Sequence, residues 1–273
     1  MSRLALCVPA ALALVAFQSV TPSTPTPAYA WFVCTGNSER PSGSLARVEL
    51  NSGAVERVLD MRSGVTGEHE PVELALLPDG RGALVAQVVN VGSPHCATVI
   101  ETVSLADGSA AGAARFDGWL DALEFHPASG ALWAAQVDQR GERWLVRVDL
   151  AKSQLERVGS LPSELAPRSL AFDKNGKRLW CLSATNVAAT DEVLELDPAN
   201  GKVLRRVRWG FDQPALALEI DVSGRFIALA WGGVALEFDP RSGSCKSMFA
   251  LDDVRFTVPT GLELEPPTPK HAK

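Results

Sequence analysis

An all-β, five-bladed β-propeller is the fold this sequence predicts, and three observations predict it. First, an apolar run, a Gly turn and a second apolar run recur at Leu74–Leu84 around Asp79-Gly80, Leu123–Trp133 around Gly130, Leu170–Trp180 around Asn175-Gly176 and Leu218–Leu229 around Gly224. The turn glycines stand about 45 to 50 residues apart, the period of four-stranded propeller blades. Second, five further turns continue each unit outwards, at Asn51-Ser52-Gly53, Asp107-Gly108, Lys152-Ser153, Asn200-Gly201 and Ser242-Gly243, each preceded by apolar alternation. Third, Gly261–Glu265 has the alternation of an inner strand, yet no hairpin partner follows it.

Taken in chain order, the elements begin after a leader. Arg3 gives a positive start, Leu4–Phe17 an apolar stretch of fourteen residues, and Ala28-Tyr29-Ala30 an A-x-A cleavage pattern behind a Pro/Thr-rich run. Fourteen residues fall short of the roughly twenty that span a bilayer. Residues 1–30 therefore read as a signal peptide cut before Trp31, residues 31–266 as the propeller and 267–273 as a disordered tail. The expected compartment is outside the cytoplasm, periplasmic or secreted, and no later run is long and apolar enough to hold the chain in a membrane.

Trp31–Asp60 supplies three strands without an inner one, because the first outer turn, at Gly53, has no inner hairpin before it. The next four units are complete. The leftover C-terminal strand then fits the incomplete first blade, which ties down both termini and removes two exposed sheet edges. Six blades, one of them divergent among the longer loops, is the competing count.

Val72–Gly80 followed by Ala83–Ala86 resembles the repeats of WD40-like and YVTN (lactonase-type) propellers, and Leu194–Leu204 is similar to those of quinoprotein-like propellers as well. The resemblance spans most of residues 31–266 and implies architecture. The Trp-Asp and Gly-His pairs of WD40 blades and the YVTN tetrapeptide are absent from this sequence.

Composition narrows the partners. The formal charge is −6, with no basic stripe of the kind that neutralises phosphates, so nucleic acid is not an expected partner. Four cysteines follow the leader: Cys34, Cys96, Cys181 and Cys245. Their spacing suits no zinc knuckle. Cys181, behind Trp180 in an apolar run, reads as a buried thiol. Cys34, Cys96 and Cys245 lie nearer strand ends, where an oxidising compartment would permit one bridge among them.

No nucleophile elbow, zinc-protease motif, P-loop or EF-hand loop occurs, so no catalytic residue is assigned. In a propeller, the interblade loops and the loops between second and third strands share one face. Here that face collects His69, His95, Trp119, Asp138, Arg168, Trp209 and Trp231 as candidate ligand-binding residues, while the opposite face has mostly short Gly turns. Trp133 and Trp180, placed just after their Gly turns, read instead as blade core. His126, before Pro127 at a hairpin turn, reads as solvated.

Glu70, Asn90, Asn186 and Asp212 form a second set, hard oxygen donors suited to Ca²⁺ or Mg²⁺ near the channel mouth. That arrangement is similar to the one in gluconolactonase-like metallohydrolases and implies Lewis-acid polarisation of an ester or lactone carbonyl. A third set is Glu124, Glu219 and Glu263, at equivalent positions of three inner strands and so pointing the same way. Those acids read either as interblade hydrogen-bonding groups, the expected role, or as a ring of acids in a ligand channel. The functional expectation is an exported binding or scaffolding module that takes a protein, peptide or glycan on its loop face. A metal-dependent lactonase- or esterase-like hydrolase is the alternative.

Overall fold

The computed structural model describes residues 29–34, 43–62, 69–90, 96–185, 191–251 and 259–265. The expected leader, apart from Tyr29 and Ala30, and the expected tail lie outside the described residues. Twenty strands form five antiparallel sheets of four. Blade 1 contains β1 (Tyr29–Cys34), β2 (Ser44–Glu49) and β3 (Val55–Asp60), with β20 (Pro259–Leu264) as its inner strand. Blade 2 runs β4 (His69–Leu76), β5 (Gly82–Val89), β6 (Ala97–Ser104) and β7 (Ala110–Asp117). Blade 3 runs β8 (Trp119–Phe125), β9 (Leu132–Val137), β10 (Arg143–Asp149) and β11 (Gln154–Leu161). Blade 4 runs β12 (Leu165–Phe172), β13 (Leu179–Thr185), β14 (Glu192–Leu196) and β15 (Val203–Arg208). Blade 5 runs β16 (Ala215–Ile220), β17 (Phe226–Ala230), β18 (Val234–Phe238) and β19 (Cys245–Ala250).

Each inner strand lies beside the next, and β16 lies beside β20, so the ring is closed with five blades. The closure is the one the unmatched C-terminal strand predicts. Ala30 to Val33 pair antiparallel with Leu264 to Gly261, and Glu265 accepts the Trp31 indole N–H at 2.7 Å and the Arg47 guanidinium at 2.6 and 2.7 Å.

The core is five interblade wedges rather than one ball. Leu74, Val85 and Trp31 fill the wedge between blades 1 and 2. Leu123, Phe116 and Ile100 fill the next, followed by Leu170, Trp133 and Leu179, then Trp180, Phe226 and Phe238. Phe32, Ile227 and Leu229 complete the circle between blades 5 and 1. This packing explains the sequence pattern. Second strands are covered on both faces, so β5 is buried throughout and is apolar but for Gln87, whose amide donates to Glu101. Outer strands have one wet face, so β15 reads Val-Leu-Arg-Arg-Val-Arg, with Leu204 63% exposed.

Turn chemistry is local and repetitive. In the inner hairpin of blade 4 the Asp173 carboxylate accepts the Lys177 and Arg178 N–H groups, and Gly176 takes the left-handed conformation at φ 67°. That glycine also admits the His126 ring of blade 3, whose Nε2 lies 3.1 Å from the Gly176 carbonyl. His126 packs edge-on against Phe172 at 4.8 Å. The solvated role expected for His126 is thus corrected: a turn that is exposed within one blade is covered by its neighbour.

The tryptophans of the blade core are as expected, Trp133 being 7% and Trp180 3% exposed. Cys181 is a buried thiol pushed up to about 12 by burial. Cys96 and Cys245 are also thiols, so the bridge that an oxidising compartment would permit among Cys34, Cys96 and Cys245 is not made in this structure. The three sit on β1, just before β6 and on β19, in different blades or at opposite ends of strands.

Candidate functional site

Two groups of polar residues lie along the inner strands, one at the loop-bearing mouth and one deeper on the axis. A repeated backbone feature sets both. Register slips between Pro71 and Glu73, Asp121 and Glu124, Pro167 and Ser169, and Ala215 and Ala217, and on blade 1 between Val33 and Cys34 opposite Gly261 and Pro259. Every inner strand therefore carries a bulge near its start. Bulges re-aim side chains and recur beside functional sites. In blade 3 the bulge holds Ala122 at φ 58°, a conformation costly for a residue with a Cβ.

Below the bulges, turn hydrogen bonds align the blades: Leu77, His126, Asp173 and Asp221 each start the inner hairpin in the same way. Two residues earlier stand Ala75, Glu124, Ala171 and Glu219, with Glu263 opposite Trp31 as the blade 1 counterpart. Three acids and two alanines thus make one layer around the axis. The carboxylates of Glu124, Glu219 and Glu263 bring oxygens within 4.8 Å of one another. The layer nearer the mouth holds Gly261, Glu73, Ala122, Ser169 and Ala217, in which Glu73 is the one large residue. Its carboxylate lies over Gly261, so that a Cβ there would stand 2.5 Å from Glu73 Oε1.

All four acids are buried, with exposures of 2% for Glu73, 7% for Glu219 and 9% for Glu124 and Glu263. Burial pushes Glu73, Glu124 and Glu219 well above the ordinary carboxylate range, and the neighbouring acids push them further. Glu263 is raised by burial to about 8, opposed by the Leu76 N–H of blade 2. Glu124 likewise meets the Phe172 N–H of blade 4. Glu73 Oε1 accepts from the Leu74 N–H at 3.0 Å. The second oxygens of Glu73, Glu124 and Glu263 have no hydrogen-bond partner. The expected interblade bonding is therefore half of what these acids do. Three of them, Glu124, Glu219 and Glu263, also bring carboxylate oxygens together on the axis.

At the mouth, Trp119 donates its indole N–H to Asp121. Asp121 is raised to about 7, chiefly by burial, with Trp119 and the Arg168 charge of the adjacent blade opposing the shift. Arg168, the bulged residue of β12, donates to the Ala215 carbonyl of blade 5 at 2.6 Å. Trp231, between β17 and β18 on the same face, is 51% exposed. The mouth thus offers an indole, an acid and a guanidinium around one opening, with a second indole in the open.

The other predicted site residues are placed as follows. His69 and Glu70 begin β4, opposite Val89 and Val88, and their side chains lie outside the described residues, as do His95 and Asn186. Asn90 follows β5 at φ 56° and is exposed. Asp212, before β16, is also exposed, on a blade that does not adjoin that of Asn90. Asp138 is committed to its own loop. It accepts from Arg140, Glu142, Trp144 and Arg157, and these bonds outweigh burial and hold it below the usual carboxylate range. Together with Gln136, Gln139 and Arg140 it lines a shallow polar depression of about 400 Å³. Trp209 is 6% exposed, stacked on Phe238 and donating to the Gln213 carbonyl at 2.8 Å, which is blade packing.

Glu73 and Asp121 belong to the two groups without having been singled out from sequence. The signal for Glu73 was a lone acid inside an apolar inner strand, two positions from the Glu124 equivalent and so on the same face.

No family model and no curated protein sequence matches this chain. Among solved structures it is similar to TolB from Acinetobacter baumannii, at 14% identity over 82% of this chain and 53% of that one, with a TM-score of 0.50. It is also similar to the Pseudomonas aeruginosa periplasmic gluconolactonase PpgL (15% identity, 81% and 82% covered, TM-score 0.47). A third is the Myceliophteria thermophila Cps50 (Swd1) β-propeller domain (16% identity, 79% and 70% covered, TM-score 0.45). The chain spans about half the length of TolB. At these identities the likeness is one of fold, and it agrees with the strand topology: this chain is a five-bladed β-propeller.

Proposed function

We propose that this chain is an exported binding propeller that takes a protein, peptide or glycan ligand at the loop-bearing mouth of its axis. The observation that carries the reading is the group formed by Trp119, Asp121 and Arg168, drawn from two adjacent blades at bulged starts of inner strands. A half-buried acid beside an indole and a guanidinium offers donors, an acceptor and a flat apolar face in one place, the mixture that polar ligands with apolar edges require. The exposed indole of Trp231 extends that surface. Export is supported by Arg3, the apolar Leu4–Phe17 stretch and the Ala28-Tyr29-Ala30 pattern.

The test is binding of the full chain to glycan and peptide arrays, alongside the Arg168→Ala and Trp231→Ala variants, with cell fractionation for compartment. Retained binding in both variants would remove the mouth as the site. Turnover of lactones or esters, abolished by changing Glu70 or Asp212, would replace the binding reading with the hydrolase one.

A further inference from the structure

The geometry points to a divalent cation held on the propeller axis by Glu124, Glu219 and Glu263, with Glu73 closing over it from the adjacent layer. This goes beyond ligand binding at the mouth and does not depend on it.

Three independent features meet here. The first is spacing. Oxygens from three blades lie within 4.8 Å of one another. Two oxygens on opposite sides of a Ca²⁺ stand about 4.6–5.2 Å apart, each being about 2.3–2.6 Å from the ion. Mg²⁺, at about 2.0–2.1 Å with strict octahedral demands, is the less forgiving ion for side chains fixed on three separate blades, and Ca²⁺, with its flexible geometry, is the better fit.

The second is the set of unpartnered atoms. One oxygen each of Glu73, Glu124 and Glu263 is buried without a hydrogen-bond partner, in residues at most 9% exposed. Buried polar atoms in native proteins are nearly always satisfied, so the orphaned oxygens of Glu124 and Glu263, two of the three acids that converge, mark a missing positive partner. The charges acting on Glu73, Glu124 and Glu219 are those of other acids.

The third is the space around them. The remaining positions of the two layers are Ala75, Ala171, Gly261, Ala122, Ser169 and Ala217. Small residues there leave the axis to the four carboxylates, and a Cβ at Gly261 would collide with Glu73 Oε1. Ser169 is committed elsewhere, bridging to the Leu218 backbone of blade 5 through both its donor and its acceptor. Ca²⁺ takes about six to eight oxygens in flexible geometry, so the three convergent carboxylates would supply part of its shell and water the rest.

The test uses the full chain, stripped with chelator and titrated with Ca²⁺ by calorimetry, with metal content of the untreated protein measured in parallel. One Ca²⁺ per chain is expected, with binding roughly tenfold or more weaker in Glu219→Gln and in Glu263→Gln. Glu156→Gln, on the outer strand β11, keeps wild-type affinity. Where a Gln variant of the axial acids fails to fold, the wild-type titration alone decides. No binding of Ca²⁺, Mg²⁺ or Mn²⁺ by the wild type would overturn the proposal, leaving the acids as a proton-sharing cluster. Binding that Glu219→Gln and Glu263→Gln leave intact, or that Glu156→Gln removes, would overturn it as well.

Discussion

Gly261 lies directly beneath Glu73: a Cβ at position 261 would stand 2.5 Å from Glu73 Oε1 and 2.9 Å from Val33 Cγ1. The first contact is with the end of a buried side chain and the second with a side chain of the strand that closes the ring. Gly261→Ala is expected to cost about 1–3 kcal/mol through overpacking, or roughly 2–4 °C of Tm per kcal/mol in a domain of this size. The effect of Gly261→Ala is expected to shrink in a Glu73→Ala background. Additive losses in the double-mutant cycle would refute the contact as the cause.

The buried acids of the axis and of the mouth give stability a pH dependence of definite sign. Glu263 is raised to about 8 and Asp121 to about 7, both chiefly by burial. A carboxyl whose folded pKa lies above its unfolded one holds its proton better in the folded state. Its contribution is complete below the unfolded value and is lost as pH rises through the folded one. Chelator-treated protein is therefore expected to melt several degrees lower at pH 8.5 than at pH 5. Glu263→Gln, which keeps a neutral side chain at all pH values, flattens that slope. Melts across the range that rise with pH would contradict the burial of these acids.

Much of this architecture was legible because propeller repetition is written in short-range chemistry. Asp79-Gly80 and Asn175-Gly176 are turn signals whatever the fold, and the unmatched Gly261–Glu265 strand required a partner at the other end of the chain. The alignment of Glu124, Glu219 and Glu263 was visible as well. Their convergence was not, because it depends on ring radius: in a narrower or wider ring the same side chains would meet a neighbouring strand or open water. Glu73 shares their face but sits one layer away, and only the gap above Gly261 shows where its carboxylate goes. His126 fails for a related reason. Its partner, the Gly176 turn, lies fifty residues away on the next blade.

Close interblade backbone contact makes a second class of glycine critical. Gly159, on β11, has no positive φ, yet a Cβ there would stand 1.8 Å from the Asn200 carbonyl oxygen of blade 4. Backbone cannot move aside as a side-chain end can. Gly159→Ala is expected to destabilise by about 3 kcal/mol or to prevent soluble expression. Gly224→Ala, with nothing within 4 Å of the new Cβ but a φ of 87°, is expected to cost about 1 kcal/mol through backbone strain alone. Urea denaturation of the two variants separates sterics from conformation, and equal losses would negate the distinction.

The closure bears on where the expected leader would be cut. Tyr29 and Ala30 are part of β1: Ala30 is fully buried, and the Tyr29 carbonyl accepts the Glu265 N–H at 2.9 Å. Arg47 stacks on the Tyr29 ring at 3.7 Å while pairing with Glu265. A cut before Trp31 would remove these contacts from the blade that joins the two ends of the chain. A 29–273 protein is accordingly expected to melt a few degrees above a 31–273 protein, since burying even small apolar surface and one hydrogen bond is worth about 1–2 kcal/mol. Glu265→Ala should lower both, because Trp31 and Arg47 lose their shared acceptor. It should also narrow the gap between them, since Glu265 orders the edge that Tyr29 extends. Equal melting of the two lengths would show that β1 is held by Trp31–Cys34 alone. Mass spectrometry of the protein purified from cells then shows which N-terminus it carries.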